Sequence, residues 1–174
     1  MRRTLTVMLF VAGALGAGYA CKEKTPGEPS DLPPVFTATL TTPNEVPAVT
    51  NGESGNGTVR ITFNLTKDAA GTITGGTVDF EVTLSGFPAT TVITLGHIHT
   101  GPAGQSGGIL VNTGIQSGDV PLTNGAASFT RTQRQFNNIA DAQRILDNPQ
   151  GFYFNIHSQA NPPGIVRGQL TRIQ

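Results

Sequence analysis

A strict alternation of apolar and polar residues is the feature that most limits the folds open to this chain. Over residues 58–65, threonine, arginine, threonine and asparagine alternate with valine, isoleucine, phenylalanine and leucine, and residues 78–84 repeat the pattern. Residues 36–40 alternate in the same way with threonines. Because side chains two apart point to the same side of a strand, each segment presents one face to a core and one to water. The pattern predicts antiparallel strands with one buried face.

The rest of the chain continues as short strands, and its 22 glycines and 12 prolines indicate many turns. One short helix is predicted, capped by Asn137 or Asn138 and ended by Pro149. Its apolar residues at helical spacing are Ile139, Ala142 and Leu146. The remaining strands are predicted at residues 92–99, 109–111, 126–131, 152–157 and 165–173. The fold class is therefore all-β, an antiparallel β-sandwich or barrel of about eight strands with one short helix.

The N-terminus predicts export. Two arginines are followed by an uncharged apolar run that ends at Ala20, so residues 1–20 are typical of an export signal and too short for a membrane span. Cys21, the one cysteine, directly follows, and this placement resembles the lipobox of bacterial lipoproteins, in which that cysteine is lipidated. Simple cleavage, leaving a secreted or periplasmic protein, is the alternative. Residues 21–34 are rich in proline and charge, which predicts an extended tether before a single domain at 35–174.

The charge balance excludes one class of partner. The chain has 11 basic and 11 acidic residues, and removal of the export signal takes away Arg2 and Arg3, leaving 9 against 11, a net charge of −2. A mildly acidic domain without a basic run lacks the electrostatic footprint of a nucleic-acid binder. We expect no nucleic-acid partner, and contact with a membrane only through an N-terminal lipid.

The three histidines of the chain fall in two predicted strands. Alternation places His97 and His99 on one side of their strand, and it places Tyr153, Asn155 and His157 together on one side of theirs. Three imidazoles from neighbouring strands are a known way to hold zinc or copper with one position left open. Ring nitrogens within roughly 3 to 4 Å of one another would favour this hypothesis, and splayed rings would not.

A second interpretation of the same residues is a polar cluster whose members hydrogen-bond to one another between strands, as buried polar groups must. Its members would be His97, His99, Asn155, His157, Arg167 and Gln169. Arg167 either pairs structurally or grips a carboxylate or phosphate of a ligand through its planar guanidinium group. Because no serine lies in a nucleophile elbow and the glycine-rich segment 101–108 lacks the lysine of a phosphate-binding loop, we expect no enzymatic activity.

Four motifs in order resemble the CHRD domain, the module repeated in the animal protein chordin and found singly in many bacterial exported proteins. They are Asn44-Glu45-Val46-Pro47 after the first strand, Gly96-His97-Ile98-His99, Tyr153-Phe154-Asn155-Ile156-His157, and Gly164-Ile165-Val166-Arg167-Gly168-Gln169-Leu170. The sequence departs from the family where Ile165 and Val166 precede Arg167, since an acidic residue is common there. The resemblance implies a β fold in an extracytoplasmic setting.

Two functions follow as expectations. The first is a non-catalytic binding or structural module presented at the cell envelope, without a cofactor, whose partner is an envelope or extracellular protein or polymer. The second is a small three-histidine metalloprotein, which is either a zinc or copper binder or a redox enzyme at that site. The second rests on His97, His99 and His157, and the first draws on the polar cluster of Tyr153, Asn155, Arg167 and Gln169 and on the lipidation of Cys21.

Overall fold

The computed structural model describes residues 32–174, which form one compact unit. The predicted export signal, Cys21 and residues 21–31 of the predicted tether lie outside the described residues. Within 32–174, no helix has the length and the apolar character that a membrane crossing requires.

Nine strands and one α-helix make up this unit. The strands are β1 (Val35–Thr41), β2 (Asn56–Lys67), β3 (Ile73–Ser85), β4 (Ile93–Thr100), β5 (Ile109–Asn112), β6 (Ala127–Gln135), β7 (Phe152–Ser158), β8 (Val166–Gln169) and β9 (Thr171–Arg172). The helix is α1 (Ala140–Asp147), and short 3₁₀ turns lie at Thr42–Asn44 and Pro149–Gly151. Each strand predicted from the sequence is present, and the predicted final strand is divided at Leu170 into β8 and β9, which both pair with β1.

The strands form a single antiparallel sheet in the order β5-β4-β7-β8-β1-β2-β3-β6. The two ends of this sheet approach each other, because Val111 in β5 makes a bridge to Phe136, the residue that follows β6. The backbone N–H of Asn137 also donates to the carbonyl of Leu110 at 2.8 Å. The fold is thus a nearly closed, barrel-like sheet of eight strands with one short helix, which confirms the all-β prediction and selects the barrel.

Alternation along the strands fills the barrel. In β2, Val59, Ile61 and Phe63 are fully buried, whereas the intervening Arg60 is exposed. Phe63 contacts Phe36 of β1, with ring centroids 4.8 Å apart, and meets Phe136 edge-on at 5.0 Å. The interior is therefore an aromatic and aliphatic core whose burial supplies the main driving force for folding.

The helix begins and ends close to the predicted positions. Asn138 Oδ1 accepts a hydrogen bond from the backbone N–H of Ala140 at 3.0 Å, as a capping asparagine does. Ala142 and Ile145 are fully buried, whereas Leu146 is only partly buried. The apolar face of α1 is thus rotated by one residue from the predicted one, with Ile145 as its centre.

Candidate functional site

The candidate site is built on three neighbouring strands, β4, β7 and β8. Their register places His97 beside Asn155 and Asn155 beside Arg167. One step further along the strands, His99 lies beside Tyr153 and Tyr153 beside Gln169. His157 pairs with Leu95 and completes the row. These seven polar residues, which we call the polar layer, share the side of the sheet that faces away from the barrel core.

The polar layer is buried although it lies outside the barrel. His97, Asn155 and Arg167 expose 2%, 2% and 1% of their surface, respectively. Three loops cover them: residues 101–108 between β4 and β5, residues 42–55 between β1 and β2, and residues 159–165 between β7 and β8. Since both faces of β7 are covered, all seven of its residues are buried.

Loop carbonyls supply most of the hydrogen bonds of the layer. Nδ1 of His99 bonds the carbonyl of Gly107 at 3.0 Å, and Nδ1 of His157 bonds that of Pro162 at 2.7 Å. The Gln169 amide donates to three carbonyls, those of Gly101, Gln150 and Phe152. The structure thus brings these residues together, and their hydrogen bonds run chiefly to backbone carbonyls and seldom to one another.

The three histidines meet at one end of the layer. The distance from Nδ1 of His97 to Nε2 of His157 is 3.1 Å, and one ring nitrogen from each histidine lies within 4.8 Å of the others. The closest pair falls within the 3 to 4 Å expected of metal ligands, and the whole group spreads beyond it. Two nitrogens bound at about 2.0 to 2.1 Å to a tetrahedral ion lie about 3.3 Å apart, so the three nitrogens would have to draw closer together to bind one ion.

Hydrogen bonding fixes which nitrogens carry protons. A carbonyl oxygen only accepts, so Nδ1 of His99 and Nδ1 of His157 are the protonated nitrogens of those neutral rings. Nε2 of His157 then accepts from Nδ1 of His97. Nε2 of His99 is buried and has no hydrogen-bond partner among residues 32–174. Metal-binding histidines typically have this arrangement, with one nitrogen donating to a carbonyl and the other free.

The environment keeps all three rings neutral. Burial lowers the pKa of His97 to about 4, with smaller contributions in the same direction from the neighbouring His157 and His99. Burial also lowers the pKa of His99 and of His157, although the bonds to Gly107 and Pro162 act in the opposite direction. Neutral imidazole is the form that binds a metal ion.

Arg167 lies at the other end of the layer and is held on two sides. Its guanidinium carbon lies 3.6 Å from the centre of the Tyr153 ring, and that ring stacks in parallel on His99 with centroids 4.9 Å apart. Nη2 of Arg167 donates to Oε1 of Gln169 at 3.2 Å and to the Pro102 carbonyl at 3.4 Å. A cation on an aromatic face is stabilised by the ring quadrupole, which holds the guanidinium plane in place.

Glu45 is the site residue that sequence reasoning missed. It is 4% exposed, and its Oε2 accepts from the Asn155 amide at 3.3 Å. Burial raises the pKa of this carboxyl to about 8, against the opposing field of Arg167. Its place in the Asn44-Glu45-Val46-Pro47 motif was the available signal, but the 110 residues between it and Asn155 hid the contact. A carboxyl group thus lies near Arg167 although Ile165 and Val166 precede the arginine.

Comparison with known proteins gives one match. A family model described as the CHRD domain matches residues 36–170, which is most of the chain and includes the whole polar layer. Neither a curated protein nor a solved structure matches the chain.

Proposed function

Because this chain belongs to the CHRD domain family, we propose that it is a non-catalytic binding module presented at the cell envelope and that its histidines bind a zinc or copper ion. The family consists of non-enzymatic binding modules that occur in extracellular and secreted proteins. The export signal predicted at residues 1–20, followed by Cys21, supports presentation by an N-terminal lipid. An envelope or extracellular protein or polymer is the proposed macromolecular partner.

The observation that carries the metal proposal is the convergence of three neutral imidazoles. One ring nitrogen from each lies within 4.8 Å of the others, and Nε2 of His99 has no partner among residues 32–174. A buried polar atom without a partner costs about 1 to 3 kcal/mol, and a metal ion at this point would remove that cost. Three imidazole nitrogens suit zinc and copper, and three protein ligands leave a fourth position for water or a ligand.

Metal titration of the purified protein tests this proposal. We expect one zinc or copper ion per chain, and we expect thermal stability to rise with metal concentration because the ion binds the folded state; the gain is about 2.7 kcal/mol at 100 times Kd. His99→Gln and His157→Gln should each weaken binding strongly, since each removes one of the three nitrogens.

Tyr153→Phe is the matched control. It keeps the ring stacked on His99 and removes only the hydroxyl that accepts from the backbone N–H of Gly107 at 3.4 Å. We expect this variant to bind the metal as the wild type does. The metal proposal would be overturned if the wild type did not bind metal stoichiometrically. It would also be overturned if both histidine variants bound the metal as tightly as the wild type does.

A further inference from the structure

A second group of unsatisfied polar atoms lies beside the histidines. Oε1 of Glu45, Oδ1 of Asn155 and Nη1 of Arg167 are buried and have no hydrogen-bond partner among residues 32–174. Native proteins pair the large majority of such atoms with protein or with water. Three of them on contacting or neighbouring side chains indicate that a group outside this chain completes their bonding.

These side chains are held so that they cannot satisfy one another. The amide nitrogen of Asn155 donates to Oε2 of Glu45 and, at 3.5 Å, to the carbonyl of Pro163. The amide oxygen of Asn155 therefore has no partner among residues 32–174. Arg167 is fixed by the Tyr153 ring and by the acceptors of Nη2. Glu45 and Arg167 are near enough for the arginine to influence the carboxyl electrostatically, but no ion pair joins them within the described part of the chain. One donor and two acceptors therefore remain without partners among residues 32–174.

Two of these three side chains, Glu45 and Arg167, line a cavity of about 370 Å³. Asn44, Gln169 and the apolar Pro43 and Val46 also line it. The volume lies in the range of small-molecule sites, and a few polar groups within apolar walls are typical of them. None of the three histidines lines the cavity, so it is distinct from the proposed metal site.

We propose that this cavity binds a small hydroxycarboxylate, whose carboxylate accepts a hydrogen bond from Nη1 of Arg167 and whose hydroxyl bonds Oε1 of Glu45. A guanidinium group recognises a carboxylate through a charge-assisted hydrogen bond, which is among the stronger polar contacts.

The hydroxyl group follows from the chemistry of Glu45. With the pKa of Glu45 raised to about 8, the carboxyl is protonated near neutral pH and the cavity carries the positive charge of Arg167. A hydroxyl both donates and accepts, so it satisfies Glu45 in either protonation state. A cationic amino group would instead add a second positive charge to the cavity. The ligand is therefore a free hydroxy acid or a uronic-acid sugar, which share this chemistry.

Calorimetric titration of the purified protein, freed of metal by EDTA, tests the proposal with glucuronate, lactate and glucose as probes. We expect saturable binding of glucuronate and none of glucose, which lacks the carboxylate. Lactate binding as tightly as glucuronate identifies a free hydroxy acid as the source, and much weaker lactate binding identifies a sugar acid. Failure of both acids to bind at about 10 mM, or equal binding of glucose, would overturn the proposal. Because no metal is present, the result is independent of the histidine site.

Three variants locate the binding. Arg167→Lys keeps the charge and loses the planar donor group, and we expect it to weaken glucuronate binding about tenfold or more. Ala103→Trp places a large ring at the cavity from an exposed loop residue, so it tests the site without disturbing the buried layer. Ala160→Trp, on an exposed residue that does not line this cavity, is its control. Loss of glucuronate binding in Ala103→Trp but not in Ala160→Trp supports the assignment. Glucuronate binding by both tryptophan variants as tight as that of the wild type would overturn it.

Discussion

At the scale of single residues, the polar layer holds ionisable groups that burial has driven to their neutral forms. Burial lowers the pKa of His97 to about 4 and raises the pKa of Glu45 to about 8. Desolvation disfavours the charged form in both cases, and the shifts have opposite signs because one group is a base and the other an acid. The two groups therefore contribute to stability in different pH ranges.

The first prediction concerns Glu45. Its pKa in the folded state lies above the ordinary value of 4.5, so its contribution to stability is complete below pH 4.5 and is lost as the pH rises towards 8. Between pH 6.5 and 8 the three histidines, whose folded pKa values lie below 6.5, lose their remaining protons in the unfolded state, so they stabilise the fold as the pH rises, and they do so equally in the wild type and in Glu45→Gln. We therefore expect the difference in the free energy of unfolding between the wild type and Glu45→Gln to change in this range by up to about 1.4 kcal/mol per pH unit, with the wild type losing stability relative to the variant.

Urea unfolding at several pH values measures the slope of the free energy of unfolding against pH. Glu81→Gln is the control, because the Glu81 side chain is 63% exposed and its ion pair is with the half-exposed Arg60, at 3.8 Å. This variant should keep the wild-type slope. An unchanged slope in Glu45→Gln would show that Glu45 is ionised in the folded protein at neutral pH.

Sequence reasoning identified most of the polar layer at this scale and missed its carboxyl group. Alternation along one strand was enough to group Tyr153, Asn155 and His157 on one side, because strand geometry has a fixed period of two. It gave no information about Glu45, which reaches the layer from a loop. Loop conformation has no period, so a contact between residues 110 positions apart leaves no local pattern.

At the scale of secondary-structure elements, β7 and β8 differ from the strands that the alternation predicted most clearly. β2 alternates between buried and exposed residues, whereas β7 is buried throughout. Its residues Phe154 and Ile156 enter the core, and Asn155 and His157 enter the polar layer. The sequence of β7 still alternates, so the pattern predicted the two faces correctly but not that loops cover the second one.

A second prediction concerns the close approach of β8 to β1. A Cβ atom on Gly168 would overlap the backbone carbonyl of Thr39, which cannot turn away as a side chain can. We expect Gly168→Ala to lower the free energy of unfolding by about 1 to 3 kcal/mol. It should also weaken ligand binding in the cavity, since Arg167 and Gln169 flank the displaced residue. Urea unfolding and titration measure the two effects.

Gly75→Ala is the matched control within a strand. A Cβ atom at Gly75 would have its nearest neighbour, Cβ of Thr66, at 4.0 Å, an ordinary contact. Gly75→Ala should be neutral or slightly stabilising, because alanine loses less backbone entropy on folding. Equal stability of the two variants would mean that β8 can move away from β1 at little cost.

At the scale of the whole molecule, the site exists because loops from distant parts of the chain cover one side of the barrel. Glu53 joins two of these loops: its carboxylate accepts from the Ser158 hydroxyl at 2.7 Å and from the Asn161 amide, and it also accepts from the Thr91 hydroxyl at 2.5 Å. The strands and their order along the chain could be predicted from local patterns. The choice of barrel and the covered layer could not, because both depend on contacts between residues far apart in sequence.

The last prediction concerns how the domain reaches its place of action. Cys21 follows the predicted export signal directly, and within residues 32–174 no helix is fit to cross a membrane. If a lipid on Cys21 holds the protein at the membrane, its acyl chains contribute about 0.8 kcal/mol per buried CH₂ group, and their loss should release the protein. We expect Cys21→Ala to lack the acyl mass and to leave the membrane fraction, whereas Lys22→Ala should keep both. Membrane association of Cys21→Ala equal to that of the wild type would contradict the anchor and would leave simple cleavage, with a secreted or periplasmic domain, as the mode of export.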